Sequence, residues 1–68
     1  MYEISFEFIS YRMKSLKINL KKECEKHGIS YSTMQNALSK KLDLKSSQII
    51  FLANILDCEI SDLFRKKH

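Results

Sequence analysis

The first sixteen residues carry an apolar pattern that fits two structures. From position 2 to position 8, apolar residues alternate with polar ones, which is the periodicity of a strand. From position 4 onward, apolar residues also recur at helical spacing, at Ile4, Phe8, Ile9, Tyr11, Met13 and Leu16. We favour a first helix from about Ser5 to Leu16, with the opening residues extended.

Capping residues and a single glycine predict the next two helices. Asn19 is a good N-cap for a helix from about Leu20 to His27. Gly28, the only glycine in the chain, can adopt the left-handed conformation that ends such a helix. Ser30 then caps a third helix, which we expect over 31–41. Its inner face would hold Met34, Ala37, Leu38 and Leu42.

The second half of the chain predicts one strongly apolar helix and a short last one. Residues 48–56 place Ile49, Leu52, Ala53 and Leu56 at i, i+3, i+4 and i+7. Ser61 is the predicted cap of a last helix that contains Leu63 and Phe64, followed by a basic, frayed tail over 65–68. The predicted fold is all-α. It is a compact bundle of four to five helices that contains a helix-turn-helix and forms a single domain over 1–68.

Charge favours a polyanionic partner. Twelve Lys and Arg against eight Asp and Glu give a net charge of +4 and a pI near 9.2. The basic residues gather on both sides of the predicted third helix, at Arg12, Lys14, Lys17, Lys21, Lys22, Lys40, Lys41 and Lys45. In a small basic chain, two helices joined by a tight glycine turn are typical of a helix-turn-helix, whose second helix enters the DNA major groove.

Little in the sequence favours catalysis, a metal or a membrane. Two cysteines outside any CxxC do not make a disulfide framework, and the longest apolar run, 49–53, is too short to span a bilayer. Cys24 and His27 could join Cys58 and His68 around zinc, but structural zinc usually shows paired ligands at both ends. We therefore expect a cytoplasmic protein with no enzymatic activity, metal, cofactor, small-molecule ligand or membrane partner.

The order of these features resembles the lambda-repressor-like class of helix-turn-helix domains, the Cro and phage-repressor (XRE-like) type. The resemblance extends from about Ile9 to Phe64. It rests on Ile18-Asn19, Cys24, Gly28-Ile29-Ser30, Thr33-Met34, the apolar positions of the fourth helix and the ending 56–64. Leu20 and Glu23 depart from the pattern, because many members have a glutamine at the first position and an apolar residue at the second.

The resemblance implies two sets of DNA contacts. The helix over 31–41 would lie in the major groove, with base-reading residues Tyr31, Ser32, Gln35 and Asn36. The side-chain amides of Gln35 and Asn36 can make bidentate contacts to adenine. Contacts to the DNA backbone would come from Asn19, Lys21, Lys22, Thr33, Lys40, Lys41 and Lys45, which set affinity rather than sequence preference.

The fourth helix carries apolar residues outside its predicted inner face, and these could contact a second copy of the chain. Ile50, Phe51 and Ile55 are apolar in addition to the inner face. Either the N-terminal segment folds over them, or they form a dimer interface. We hypothesise a homodimer, for which pairing of two Tyr2–Phe8 strands is another route.

The leading functional hypothesis is a sequence-specific transcriptional regulator, a small repressor that binds a palindromic operator in double-stranded DNA as a dimer. The alternative is a protein-interaction module that docks on a repressor, toxin or other regulator. It would use a groove formed by Leu16, Phe51 and Ile55.

Overall fold

The computed structural model describes residues 1–67, which form a mostly helical domain closed by a two-stranded sheet. The elements in chain order are β1 (Tyr2–Ile4), α1 (Phe6–Ser15), α2 (Leu20–His27), α3 (Tyr31–Ser39), α4 (Ser46–Ile55), a 3₁₀ helix (Ile60–Leu63) and β2 (Phe64–Lys66). Within residues 1–67, no helix has the length and apolar character needed to cross a membrane.

The two ends of the described chain form a small sheet, which the structure adds to the mostly helical architecture. β1 runs antiparallel to β2, with Ile4 opposite Phe64 and Glu3 opposite Arg65. The Ser5 N–H donates to the Leu63 carbonyl at 2.7 Å, at the junction of sheet and helices. The extended opening is confirmed. The predictions of a last helix through Phe64 and of a frayed tail are wrong, because residues 64–66 pair with β1; His68 lies outside the described residues.

Side-chain caps begin the first three helices, and two of them, Asn19 and Ser30, are the predicted caps. Ser5 Oγ accepts the N–H of Phe8 at 3.4 Å, and Asn19 Oδ1 accepts that of Lys22 at 3.2 Å. Ser30 Oγ accepts the N–H of Thr33 at 3.4 Å. Each bond satisfies one amide that the first helical turn leaves without a partner. The predicted bounds of α2 are confirmed, whereas α4 begins at Ser46, two residues before the predicted start.

All four α-helices end in the same way. The chain turns through the left-handed region at Lys17, Gly28, Lys41 and Asp57, with φ between 52° and 67°. The next residues, Ile18, Ile29, Leu42 and Cys58, donate their N–H back to the helix at 2.9–3.1 Å. This is the Schellman motif. Because Lys41 occupies the left-handed position, α3 ends at Ser39; the predicted extension to Lys41 is wrong. Leu42 lies beyond the helix and is 45% exposed.

The core draws side chains from every helix. Its most buried members are Ile9, Cys24, Met34, Leu52, Leu56 and Leu63, each no more than 2% exposed. Phe51 is also in this core at 4% exposure, so it offers no surface to a second copy. This corrects its assignment to an interface. Ile50 remains 51% exposed, and Ile55 is half-buried.

Candidate nucleic-acid interface

The turn between α2 and α3 fixes the second helix against the first. Gly28 has φ 67°, and the following Ile29 is half-buried against the core. The Ile29 N–H donates to the Cys24 carbonyl at 2.9 Å. Cys24 of α2 and Met34 of α3 are both fully buried in the same core cluster. The outer face of α3 is therefore presented by a helix that is anchored at its beginning and in its middle.

Three of the predicted base-reading residues are free on this outer face. Ser32, Gln35 and Asn36 are exposed, while Met34 and Ala37 are buried beneath them. The amides of Gln35 and Asn36 have no hydrogen-bond partner among residues 1–67, so they are available to a ligand. A side-chain amide offers a donor and an acceptor together, which matches the edge of adenine in the major groove.

Tyr31 differs from the other predicted base-reading residues. Its side chain is half-buried and packs against the core, so only part of the ring faces solvent. As the first residue of α3, it lies beside the turn, and its phenol ring covers part of the apolar cluster. The resemblance to the helix-turn-helix class implied an outward side chain at this position.

Thr33 is already engaged by the helix cap. Its hydroxyl donates to Ser30 Oγ at 3.2 Å, while Ser30 Oγ also accepts the backbone N–H of Thr33. A phosphate only accepts hydrogen bonds. Thr33 must therefore turn its proton away from Ser30 before it can contact a DNA backbone. Asn19 differs, because its Oδ1 accepts the Lys22 N–H to cap α2 and its side-chain NH2 group still has donors for a phosphate.

The predicted lysine contacts form two exposed groups at the ends of the helix pair. Lys21 and Lys22 lie in the first turn of α2, and Lys40, Lys41 and Lys45 surround the connection from α3 to α4. Among residues 1–67, the ion pairs are Lys26 with Glu23 at 3.8 Å and Arg65 with Glu3 and Glu7 at 3.3 and 3.6 Å. The five lysines therefore carry positive charge that no carboxylate compensates at close range.

Glu23 is a partly buried carboxylate in an unfavourable environment on α2. Its side chain is 24% exposed, and one carboxylate oxygen is buried without a hydrogen-bond partner in the part of the chain that the structure describes. The other oxygen lies 3.8 Å from Lys26 Nζ. A buried acceptor without a partner costs on the order of 1–3 kcal/mol. The two helices pack together despite this cost, because the neighbouring Cys24 makes the buried contact.

The cysteines and His27 have packing roles. Cys24 is fully buried, and this burial raises the pKa of its thiol, which keeps it neutral and unreactive. The His27 ring packs edge-on against Phe51, with the ring centroids 5.2 Å apart. Within residues 1–67, no three His, Cys, Asp or Glu side chains gather as metal ligands would; His68, the fourth ligand considered for zinc, lies outside the described range.

The structure adds one surface that the sequence did not indicate. The outer face of α1 lies beside the end of α3, so that Tyr11 and Lys14 share an open groove with Ser39 and Lys41. Tyr11 is 67% exposed. Helical periodicity shows that Tyr11 and Lys14 share a face of α1, but it does not show which helix lies next to that face.

No protein-family model, curated protein or solved structure matches this chain. The chemistry of the surface on α3 is therefore the basis on which its function is inferred.

Proposed function

We propose that this protein is a sequence-specific DNA-binding transcriptional regulator that inserts α3 into the major groove. The observation that carries this proposal is the pair of exposed, unpartnered amides at Gln35 and Asn36 on a helix anchored by Met34 and Ala37. An α-helix fits the width of the major groove, and amide side chains on its outer face reach base edges there.

Two further features of α3 and its surroundings support an anionic ligand. The first turn of α3 contains no acidic residue, so the partial positive charge at its N-terminus is open to a phosphate. The uncompensated lysines lie at the start of α2 and after α3, on either side of the reading residues along the chain. Phosphate contacts from these positions would set the register in which Gln35 and Asn36 meet the bases.

In this proposal the protein acts in the cytoplasm of a bacterial cell and binds as a homodimer. A two-fold dimer would place two α3 helices in successive major grooves, about one helical turn apart, on a palindromic operator. Occupation of a promoter would then block the polymerase sterically. Of the residues predicted for self-association, Ile50 and Tyr2 have exposed side chains, at 51% and 71% exposure, and Ile55 is half-buried.

The dimer is tested by sedimentation of the purified chain at micromolar concentration. We expect a species of twice the 8.0 kDa chain mass. Ile50→Lys should shift the population toward the monomer, because the substitution places a charge at the centre of the proposed contact. A single 8.0 kDa species at every concentration in this range would contradict the dimer.

The DNA proposal is tested by selection from a randomised duplex library at about 150 mM salt, where binding driven by counterion release alone is suppressed. We expect enrichment of a palindromic consensus. Enrichment of a single half-site would indicate a monomeric reader. Weak binding that salt abolishes, without any consensus, would contradict sequence-specific regulation.

The alternative proposal is a module that docks on another protein, and one of the residues it requires is not accessible. It requires a groove formed by Leu16, Phe51 and Ile55, and Phe51 is buried in the core. Replacing Lys40 and Lys41 with Glu separates the two proposals. The double variant should lose DNA binding if the protein is a regulator, whereas it should keep its partner if the protein is a docking module.

A further inference from the structure

α1 and the end of α3 enclose an open groove on the side of the molecule that carries Gln35. The half-buried side chains of Phe6 and Leu38 form its floor. The groove has a volume of about 610 Å³ and is open to solvent along its length. It is continuous with a smaller cleft in which Gln35 and Ser39 of α3 face α1. The reading face of α3 therefore extends directly onto the outer face of α1.

The rim of this groove is built from hydrogen-bond donors and positive charge. α1 contributes the hydroxyls of Ser10 and Tyr11 and the ammonium of Lys14. The end of α3 contributes the ammonium of Lys41 and the hydroxyl of Ser39, which donates to the Asn36 carbonyl at 3.4 Å. All five residues are exposed. A phosphodiester offers only acceptor oxygens and one negative charge, and this rim offers the complementary set.

The one carboxylate on the rim is paired from outside the groove. Glu7 Oε1 lies 3.6 Å from Arg65 Nη1, and the same guanidinium lies 3.3 Å from Glu3 Oε2. Arg65 belongs to β2, so formation of the sheet brings a cation to the acidic beginning of α1. Lys14 and Lys41 have no carboxylate within 4 Å among residues 1–67, so the formal charge of the groove lining, two lysines against Glu7, is positive.

A helix in the major groove has a phosphate strand on each side of it. At 100° per residue, Asn36 and Lys40 lie on the side of α3 that turns away from α1, whereas Gln35 and Ser39 lie toward α1. Lys40, one of the backbone contacts proposed for the end of α3, therefore serves the strand on the side away from α1. On the α1 side, Lys41 is the one proposed backbone contact that lines the groove, and no residue of α1 is yet assigned to the second strand.

We infer that the groove between α1 and α3 binds this second phosphate strand, with Lys14 pairing with a phosphate and the Tyr11 hydroxyl donating to one. The inference rests on the proposed DNA-binding function and extends its surface from the helix pair α2–α3 to α1. DNA held on both sides of α3 is fixed in its rotation about the helix, so the groove helps to set the angle at which Gln35 meets the bases.

The first test measures affinity against salt concentration for Lys14→Ala, with Lys26→Ala as the matched control. Both variants remove one exposed lysine from a helix, but Lys26 lies in the last turn of α2 and is paired with Glu23. Each phosphate contact contributes about 0.9 to the slope of log K against log salt. We expect Lys14→Ala to lower the slope by about 0.9 and to weaken binding roughly fivefold at 150 mM salt. Lys26→Ala should change neither.

The second test separates the hydroxyl from the charge. Tyr11→Phe keeps the ring and removes only the donor, so we expect weaker binding, by about threefold, with the salt slope unchanged. Glu7→Gln removes a repulsive charge from the rim and should tighten binding about twofold. Its control is Glu59→Gln, another exposed carboxylate, which borders the cleft at Phe8 and Arg12 on another face of α1 and should have no effect.

The outcomes distinguish this inference from the proposed function. If Lys40→Ala weakens specific binding while Lys14→Ala and Tyr11→Phe behave as wild type, the groove is not a contact and the regulator proposal stands. If Lys26→Ala and Lys14→Ala weaken binding equally, the effect belongs to net charge and the inference is wrong. If the wild-type chain selects no sequence at all, the proposed function itself fails. Because these side chains are exposed, we expect each variant to fold. The thermal unfolding midpoint of each variant checks this.

Discussion

At the scale of single residues, α3 divides its side chains between anchoring and presentation. Met34 and Ala37 are held in the core, and the neighbouring Gln35 and Asn36 are exposed without partners. Because the helix itself is held by the core, substitutions of the exposed amides should leave the fold intact. Their effects on DNA binding can therefore be interpreted as lost contacts.

We predict different signatures for reading and positioning residues. Gln35→Ala or Asn36→Ala should cost about 1–3 kcal/mol on the selected site and relax the preference at one base position. Lys40→Ala should weaken all sequences equally and lower the salt slope by about one. Binding titrations on the consensus and on single-base variants measure both effects. If all three variants weaken every sequence equally, α3 does not read bases.

Residue-scale expectations are most accurate where a residue acts on its own backbone or on the backbone of the next few residues. Ser30 caps α3 and Gly28 takes a positive φ, as expected from their chemistry alone. The expectation for Tyr31 is less accurate, because its burial depends on the core that lies beneath the turn. A sequence pattern identifies an outward position on a helix, but it does not show which other parts of the folded chain contact the side chain at that position.

At the scale of elements, a Schellman motif ends each of the four α-helices, and only one of the four has glycine at the left-handed position. Lys17, Lys41 and Asp57 adopt left-handed φ values of 53°, 55° and 52°. The left-handed conformation costs a residue with a Cβ roughly 1–2 kcal/mol. The cost is smaller for Asp than for Lys, because the short polar side chain of Asp can form local hydrogen bonds. At three of the turns the following residue, Ile18, Ile29 or Cys58, packs against the core and offsets this cost.

We predict opposite effects at two of these turns. Lys17→Gly should raise the free energy of unfolding by about 1 kcal/mol, because it relieves the strained backbone. Gly28→Ala should lower the free energy of unfolding by about 1 kcal/mol. Nothing lies within 4 Å of a Cβ at position 28, so the cost would come from the backbone alone. Urea denaturation of both variants measures the pair. A loss of stability in Lys17→Gly would contradict the strain.

At the scale of the whole molecule, contacts between distant parts of the chain close the domain. The Cα radius of gyration is 11.3 Å, close to the value of about 11 Å for a compact chain of this length. Besides the sheet, Arg12 joins α1 to the end of α4: its Nε donates to the Leu56 carbonyl at 3.0 Å and its Nη2 to that of Asp57 at 3.3 Å. A cation at this end also complements the helix dipole.

We predict that Arg12→Ala destabilises the fold by about 1–3 kcal/mol, because it leaves the last carbonyls of α4 without their charged donor. Arg12→Lys keeps the charge but loses the fork that reaches both carbonyls, so its loss should be smaller. Thermal unfolding of the two variants compares them. Equal stability of Arg12→Ala and wild type would show that water replaces the guanidinium without cost.

The sequence by itself determined the helices and the turn between α2 and α3, because caps, glycine and apolar spacing act over a few residues. The tertiary structure decided which apolar face of α4 is buried, how residues 64–66 are paired and what lies beside α1. Phe51 is in the core while Ile50 is exposed, and β2 is a strand because β1 lies alongside it. Several of the contacts that decide these outcomes join residues more than forty positions apart. Ile4 with Phe64 and Arg12 with Leu56 are examples. No local pattern encodes such partners, since the free energy that selects them arises only when the whole core is assembled.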